Sequence, residues 1–414
     1  AWDGEKQDNT DIYVKLVDAG TPLRLTTHAA SDFGPVWAPD GRHIAFLRSI
    51  GSNRAAVLQV PALGGPERKL AEIIVTSSDI GRSFLSWSPD SRRLVMVDRK
   101  APGDPTELFV LSIATGEKRS LISPPAKSIG DTDPTVSPDG RALAFSRSPS
   151  YAVSDLWVLP LAEDLRPRGE AKPLTSDHRQ VRGCAWTPDG REILFSSNRA
   201  GSLALWMIAA SGSGQPVRLA AVGEAAAQPT ISRPGAGRRS RLAYVRTLGD
   251  RDIRRLDVQS GAETQVVSST RDDVHPQYSP DGSRIAFSTN QSGAYEIWVC
   301  QSDGSSPQPL TSFRGPIADL PAWSPDGRRI AFHFRPEGTA DIYMIDADGG
   351  SLRRLTNEPG DDVAPSWSHD GRWIYFGSNR TGEHQIWRLP AEGGPAVQVT
   401  RNGGIYAQES PDGK

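Results

Sequence analysis

Apolar residues in this chain come in short runs of strand length, each closed off by Pro, Asp and Gly. One such pattern returns again and again. WAPDGRHIAF starts at Trp37, WSPDSRRLVM at Trp87, VSPDGRALAF at Val136 and WTPDGREILF at Trp186. YSPDGSRIAF follows at Tyr278, WSPDGRRIAF at Trp323 and WSHDGRWIYF at Trp367. A weaker copy, ISRPGAGRRSRLAY, starts at Ile231, and ESPDGK ends at Lys414. The steps between copies are 50, 49, 50, 45, 47, 45, 44 and 42 residues. A period of this size marks a repeat architecture in which each copy is one supersecondary unit.

The copy from Asp319 to Thr356 reads as four strands: Leu320–Trp323, Arg329–Phe334, Asp341–Ile345 and Leu352–Thr356. Four short antiparallel strands per repeat, with turn residues between them, predict an all-β fold built from propeller blades. In the turn, Pro presets φ, Asp bonds neighbouring backbone N–H groups and Gly takes the left-handed conformation. Asp40, Asp90, Asp139, Asp189, Asp281, Asp326, Asp370 and Asp412 are therefore read as local turn residues rather than an acidic functional array. Trp37, Trp87, Trp186, Trp323 and Trp367, just before the turns, are read as packing residues between blades.

First, third and fourth strands each occur nine times along the chain, whereas the second occurs eight times. The expected blades lie near 32–70, 82–121, 131–175, 181–219, 226–268, 273–311, 318–356 and 362–400, with a split, incomplete ninth made from 1–26 and 401–414. The deficit suggests a window cut from a longer array. The alternative is a run through two tandem smaller propellers.

The pattern D-x-x-P-x-W-S-P-D-G-x-x-I-A-F, then D-I-Y/W, then D-G-G and R-L-T, resembles the TolB-like, WD-like propeller repeat. That repeat occurs in periplasmic TolB, in propellers of prolyl oligopeptidase relatives, and in propellers fused to bacterial winged-helix regulators and serine/threonine kinases. The segments EKQDNTDIYVKLVDAGTPLRLT and ESPDGK are most similar to the last group. The resemblance implies a binding or sensory part of a larger envelope or signalling protein, located in the periplasm or otherwise outside the cytoplasm, with the cytoplasm as the alternative. It covers essentially the whole chain but speaks to fold more than function.

Composition narrows the partners. Lys plus Arg (47) nearly balances Asp plus Glu (49), so no global field gathers nucleic acid or an anionic membrane. No run approaches the ~18 apolar residues of a spanning helix, so no membrane insertion by this segment is expected. Cys184 and Cys300 occupy different repeat positions, with no spacing that suggests a disulfide or metal pair. No G-x-S-x-G elbow, H-E-x-x-H, P-loop or dinucleotide fingerprint occurs. The seven histidines, His28, His43, His178, His275, His333, His369 and His384, are scattered through the repeat.

One constellation remains for binding. Three residues before the Pro of each first strand stand Asp32, Asp131, Asp273 and Asp362; Arg82 holds that place in the second copy, and Asp319 lies one place on in the seventh. First strands are innermost in a propeller, so these groups, with Asp133, Arg182 and His275 nearby, are expected to ring a channel mouth. Such a mixed, mainly acidic ring suits a cation or the basic end of a peptide. The competing reading has each Asp tying its own loop. Asp346-Ala-Asp-Gly349 resembles part of a calcium loop but reads as a plain turn.

The expectation is thus a non-enzymatic propeller that binds a protein or peptide and is monomeric as a fragment. It needs no cofactor, with room for a structural or channel cation such as calcium. The alternatives are a propeller lyase or hydrolase using channel-mouth carboxylates and a metal, and the accessory propeller of a prolyl-oligopeptidase-type serine peptidase.

Overall fold

Each described Ser-Pro-Asp-Gly segment closes a hairpin by the same set of bonds. In the turn of Asp139, the Ser137 hydroxyl donates to the Asp139 carboxylate at 2.6 Å, which also accepts the Arg141 N–H at 3.0 Å. The Gly140 N–H reaches back to the Ser137 carbonyl at 2.9 Å, and Gly140 sits at φ 74°. Asp40, Asp90, Asp189, Asp281, Asp326 and Asp370 accept the equivalent backbone N–H. These donors stabilise the charged carboxylate; at Asp281, the Ser279 hydroxyl and then Ser283 bring it down to about 2. Asp412 lies outside the described residues.

The computed structural model describes residues 2–3, 10–15, 20–51, 53–76, 82–125, 128–150, 153–177, 179–232, 240–246, 251–313, 316–336 and 339–410. Among them there is no helix, and seven repeats form four-stranded antiparallel sheets in simple up-and-down order. Blade 1 comprises Asp32–Trp37, His43–Ser49, Arg54–Pro61 and Arg68–Ile74. Blade 2 comprises Leu85–Trp87, Arg93–Asp98, Glu107–Ser112 and Lys118–Ile122. Blade 3 comprises Gly130–Val136, Ala142–Ser150, Val153–Pro160 and Lys172–Pro173, and blade 4 Val181–Trp186, Glu192–Ala200, Ser202–Ala209 and Val217–Arg218. Blade 5 comprises Asp273–Tyr278, Arg284–Thr289, Glu296–Gln301 and Gln308–Pro309. Blade 6 comprises Ala318–Trp323, Arg329–Phe334, Asp341–Asp346 and Arg353–Arg354, and blade 7 Asp362–Trp367, Trp373–Ser378, Gln385–Pro390 and Val397–Gln398.

The chain divides into two compact units, residues 1–197 with 203–246, and residues 198–202 with 247–414. The repeat near 226–268 does not make one four-stranded sheet. It makes two ladders, Ala226–Ile231 with Leu242–Arg246 in the first unit, and Ile253–Leu256 with Glu263–Val267 in the second. Its sequence gives the reason. Arg255 stands where blade 6 buries Met344, and Tyr244 where the blades bury a Phe, so the repeat lacks the apolar set that would hold four strands together. Tyr244, Val245 and Leu256 are accordingly exposed. The Arg-Pro-Gly-Ala-Gly turn of this copy lies outside the described residues. Near the N-terminus, Tyr13–Val14 pairs with Leu23–Arg24.

The core of each blade is the second strand. Phe46, Phe145, Phe195, Phe287, Phe332 and Phe376 are fully buried, one per blade in six of the seven. The third strand's opening acid and the fourth strand's closing Thr, recurrent in the sequence, turn out to be one latch. The Thr356 hydroxyl accepts the Ile342 N–H at 2.9 Å and donates to Asp341 at 3.3 Å. Thr175 does the same with Leu156 and Asp155, and Thr311 with Ile297 and Glu296.

The turn tryptophans stitch successive blades. Trp87 Nε1 donates to the Val36 carbonyl, Trp186 to Thr135, Trp323 to Gln277 and Trp367 to Ala322, at 2.9–3.2 Å. These four rings are buried, but Trp37 is 53 % exposed, which corrects its expected packing role. Each buried ring lies on the first strand of the blade before it, whereas the ladder preceding blade 1 contributes no first strand. Tyr278, after the incomplete second-unit ladder, is exposed for the same reason. Trp367→Phe should cost about 1 kcal/mol in urea unfolding, the worth of one hydrogen bond, while Trp37→Phe should be near neutral.

Candidate functional site

Every first strand except that of blade 2 slips register with its second strand after the first two or three pairs of residues. The slips fall between Phe33 and Val36, Thr132 and Thr135, Arg182 and Cys184, Ala227 and Thr230, Val274 and Gln277, Asp319 and Ala322, and Val363 and Ser366. At each slip one residue is left-handed: Gly34 (φ 62°), Asp133 (55°), Gly183 (68°), Gln228 (50°), His275 (53°), Leu320 (56°) and Ala364 (53°). Five of these are not glycine, and such backbone costs on the order of 1–3 kcal/mol per residue. In all but Gly183 the next residue is Pro, which has no N–H to lose from the ladder. A bulge re-aims the side chain at its apex. The apex residue, one before the Pro, was not among the expected site positions except at Asp133 and His275. The signal for it in the sequence is the Pro that follows in six of the seven copies, while the place itself varies as Gly, Asp, Gln, His, Leu or Ala.

The aspartates three places before the Pro have a different role. Asp32 is fully buried and receives Arg48 through Nε (2.6 Å) and Nη2 (2.8 Å). Asp131, also buried, receives the same fork from Arg147 at 2.8 Å and 2.8 Å, and Asp362 receives Arg380 at 2.7 Å. Burial pushes the Asp131 carboxyl up to about 6 even with Arg147 beside it. In blade 5 a glutamine replaces the arginine, and Gln291 Nε2 lies 3.4 Å from Asp273. The arginines stack on blade aromatics, Arg147 on Phe145 and Trp157 and Arg380 on Phe376 and Trp387. These four carboxylates therefore sit inside their own blades, with three of them neutralised there, and do not form an open acidic array.

The other expected site residues fall into two clusters, one in each unit. In the first unit, Asp133 ties three blades. Its carboxylate accepts the Ser83 N–H at 2.8 Å, Arg82 Nη1 at 3.1 Å and the Thr132 hydroxyl at 3.0 Å. Arg82 Nη1 also donates to the Val181 carbonyl at 2.8 Å, next to Arg182. The Cys184 thiol donates to the Asp133 carbonyl at 3.2 Å, and burial pushes it well above its usual range. Both cysteines are free.

In the second unit, His275 Nδ1 and Asp319 Oδ1 are 2.7 Å apart, joining the first strands of blades 5 and 6. That bond raises the His275 pKa. Burial works against the Asp319 charge, yet the His275 bond and the neighbouring His333 hold its carboxyl below the usual range. His333, paired with Asp319 across the strands, is buried and pushed down to about 4. Arg251 grips Asp272 through two bonds of 2.9 Å, and the Tyr295 hydroxyl donates to the same carboxylate at 2.8 Å.

His275 also lines a cleft of about 500 Å³. Its walls include the bulge residues of three successive blades, His275, Leu320 and Ala364, followed by Pro276, Pro321 and Pro365. Trp323, Trp367 and the segment Tyr406–Gln408, which belongs to no strand, also line it. That segment is anchored by Glu409, which accepts the His369 N–H at 2.7 Å and the Tyr375 hydroxyl at 3.0 Å, while Tyr406 stays exposed. Among the described residues no group of three or more His, Cys, Asp or Glu side chains is set to hold a metal ion. His178 lies outside the described residues.

A family model described as the TolB beta propeller domain matches residues 71–319 and 239–414. The chain belongs to the TolB beta propeller domain family. Among curated relatives, this TolB-like chain is 37 % identical over 226 residues to an uncharacterised protein of Agrobacterium fabrum, a match covering 55 % of this chain and 57 % of that protein. It is 34 % identical over 144 residues to the Tol-Pal system protein TolB of Anaeromyxobacter dehalogenans, covering 35 % of this chain and 22 % of that one. The matches thus span little more than half of one relative and under a quarter of the other. The crystal structure of TolB from Acinetobacter baumannii aligns over 88 % of this chain and 65 % of its own, at 15 % identity and a TM-score of 0.33. No helix among the described residues is long and apolar enough to cross a membrane.

Proposed function

We propose that this TolB-like propeller is a non-catalytic binding module that takes an extended segment of a partner protein into the second-unit cleft, outside the cytoplasm. The observation that carries this reading is that bulges in three successive first strands aim His275, Leu320 and Ala364 into one cleft walled by prolines and tryptophans. Strained backbone repeated at one place in the fold is spent on aiming side chains rather than on packing. Rings and prolines present rigid apolar faces that lose little entropy on binding an extended chain. The protein's own Tyr406–Gln408 lies along the wall in non-helical, unpaired backbone, the kind of occupant the cleft accommodates. The His275–Asp319 pair supplies one polar, orienting contact at the rim. An enzyme built on the first-strand carboxylates is disfavoured at Asp32 and Asp131, where an arginine takes both oxygens, and by the burial of Asp362, whose Oδ2 is held by Arg380.

The test is a peptide-library selection followed by affinity measurement on two variants. Gln277 is exposed and lines the cleft, so Gln277→Trp should weaken the selected peptides at least tenfold with the melting temperature unchanged. His275→Ala should weaken them severalfold. Unaltered affinity in both variants would remove the cleft from the account.

A further inference from the structure

We infer that the first unit carries a separate carboxylate-binding site formed by Arg82 and Arg182. The expected channel-mouth charge was mainly acidic. In the first unit the pairing leaves the opposite sign. Asp32 is taken by Arg48, Asp131 by Arg147 and Asp133 by Arg82. Arg182 is left over, with no carboxylate bonded to it among the described residues.

The two guanidiniums are neighbours. Arg82 Nη1 donates to the carbonyl of Val181, the residue before Arg182. Both bonds made by Arg82 come from Nη1, so Nε and Nη2 form a fixed, unused edge among the described residues. Among the described residues, the group facing Arg182 is the neutral Gln180 amide, whose oxygen is assigned toward Nη2 (3.1 Å) and Nε (3.3 Å) because the opposite orientation would set N–H against N–H. That contact positions the side chain without neutralising it, and Asp133, already bonded to Arg82, offsets the Arg182 charge only through space. Asp133 bonds Ser83 N–H, Thr132 Oγ1 and Arg82 Nη1, and it acts on Arg182 through space rather than by a hydrogen bond. Its side chain is fully buried and that of Arg82 is 13 % exposed. Burial, and then the nearby Arg82 charge, lower the Arg182 pKa, as expected for two like charges held close in a poorly solvated place.

Among the described residues, the largely buried Arg82 and the partly buried Arg182 share one carboxylate and lack one negative charge. A planar carboxylate fits the free fork of a guanidinium and relieves the repulsion between the pair. Such a group arrives as a peptide C-terminus or as an Asp or Glu side chain. The site is distinct from the second-unit cleft and stands whether or not that cleft binds peptide.

The test is a calorimetric or NMR titration of the full chain at low salt with three acetylated tripeptides. These are Ala-Ala-Ala with a free C-terminus, the same peptide amidated, and amidated Ala-Glu-Ala. At least one of the two acids should bind about tenfold or more tighter than the neutral amide, the gain of one charge-assisted contact. Which acid wins identifies the source of the carboxylate. Arg182→Gln should abolish the difference between acid and amide, and Arg182→Lys should keep part of it. Arg182→Gln should also leave the melting temperature unchanged or raised, since it removes a repelled charge, whereas a purely structural arginine would lower it. Equal binding of acids and amide, or an unaltered preference in Arg182→Gln, overturns the inference.

Discussion

Asp131→Ala should cost 3–5 kcal/mol of stability, the usual effect of stranding one partner of a buried ion pair. Arg147 would then keep its stacking on Phe145 and Trp157 but lose both of its 2.8 Å carboxylate bonds. Asp32→Ala should do less harm, because Arg48 retains Glu67 at 2.6 Å. Asp370→Ala, in an exposed turn, should cost about 1 kcal/mol or less. Urea unfolding of the three variants gives the ranking directly. Equal, small losses would mean that Asp131 is not structural and would return it to the ligand-binding candidates.

The second large effect is on acid stability. Burial holds His333 neutral in the folded chain, at about 4, against roughly 6.5 when unfolded. Between those values the unfolded chain binds a proton that the folded chain refuses, so stability falls as the pH falls from about 6.5 toward 4. The full effect is roughly 3 kcal/mol. Asp319 and Asp361 near the ring favour its protonation, while Arg335 and His275 oppose it. His275 works in the other direction. Its pKa is raised, so its contribution is present below its unfolded value and is lost as the pH rises through the folded one. His333→Leu should therefore flatten the stability profile between pH 7 and 4 relative to the parent. Parallel profiles would show that the ring protonates freely in the fold.

Much of the fold was legible because repeats repeat their local chemistry. The turn aspartates, the strand order and the buried Phe of the second strand each depend on a handful of adjacent residues, and the sequence states them many times. What was not legible depends on neighbours. Trp37 carries the same local signal as Trp87, yet only Trp87 has a preceding first strand to cover it. The repeat near 226–268 has the right spacing, but Arg255 and Tyr244 sit where apolar residues were needed, and spacing alone hid that.

The site was half legible for the same reason. Asp32, Asp131 and Asp362 stand out as acids in register, but their partners Arg48, Arg147 and Arg380 lie 16 to 18 residues on, across a hairpin. Only the cross-strand register brings each pair together. The bulges were hidden because left-handed backbone is usually signalled by Gly, whereas His275, Leu320 and Ala364 adopt it just before Pro.

The central claim is that the second-unit cleft binds an extended peptide without turning it over. Hydrogen exchange of the chain with and without a library-selected peptide tests it most directly, with the peptide's mass followed in the same samples. The account predicts slowed exchange at residues 275–278, 320–323 and 364–369 and an intact peptide. Protection confined to the outer fourth strands, or a cleaved peptide, would contradict it.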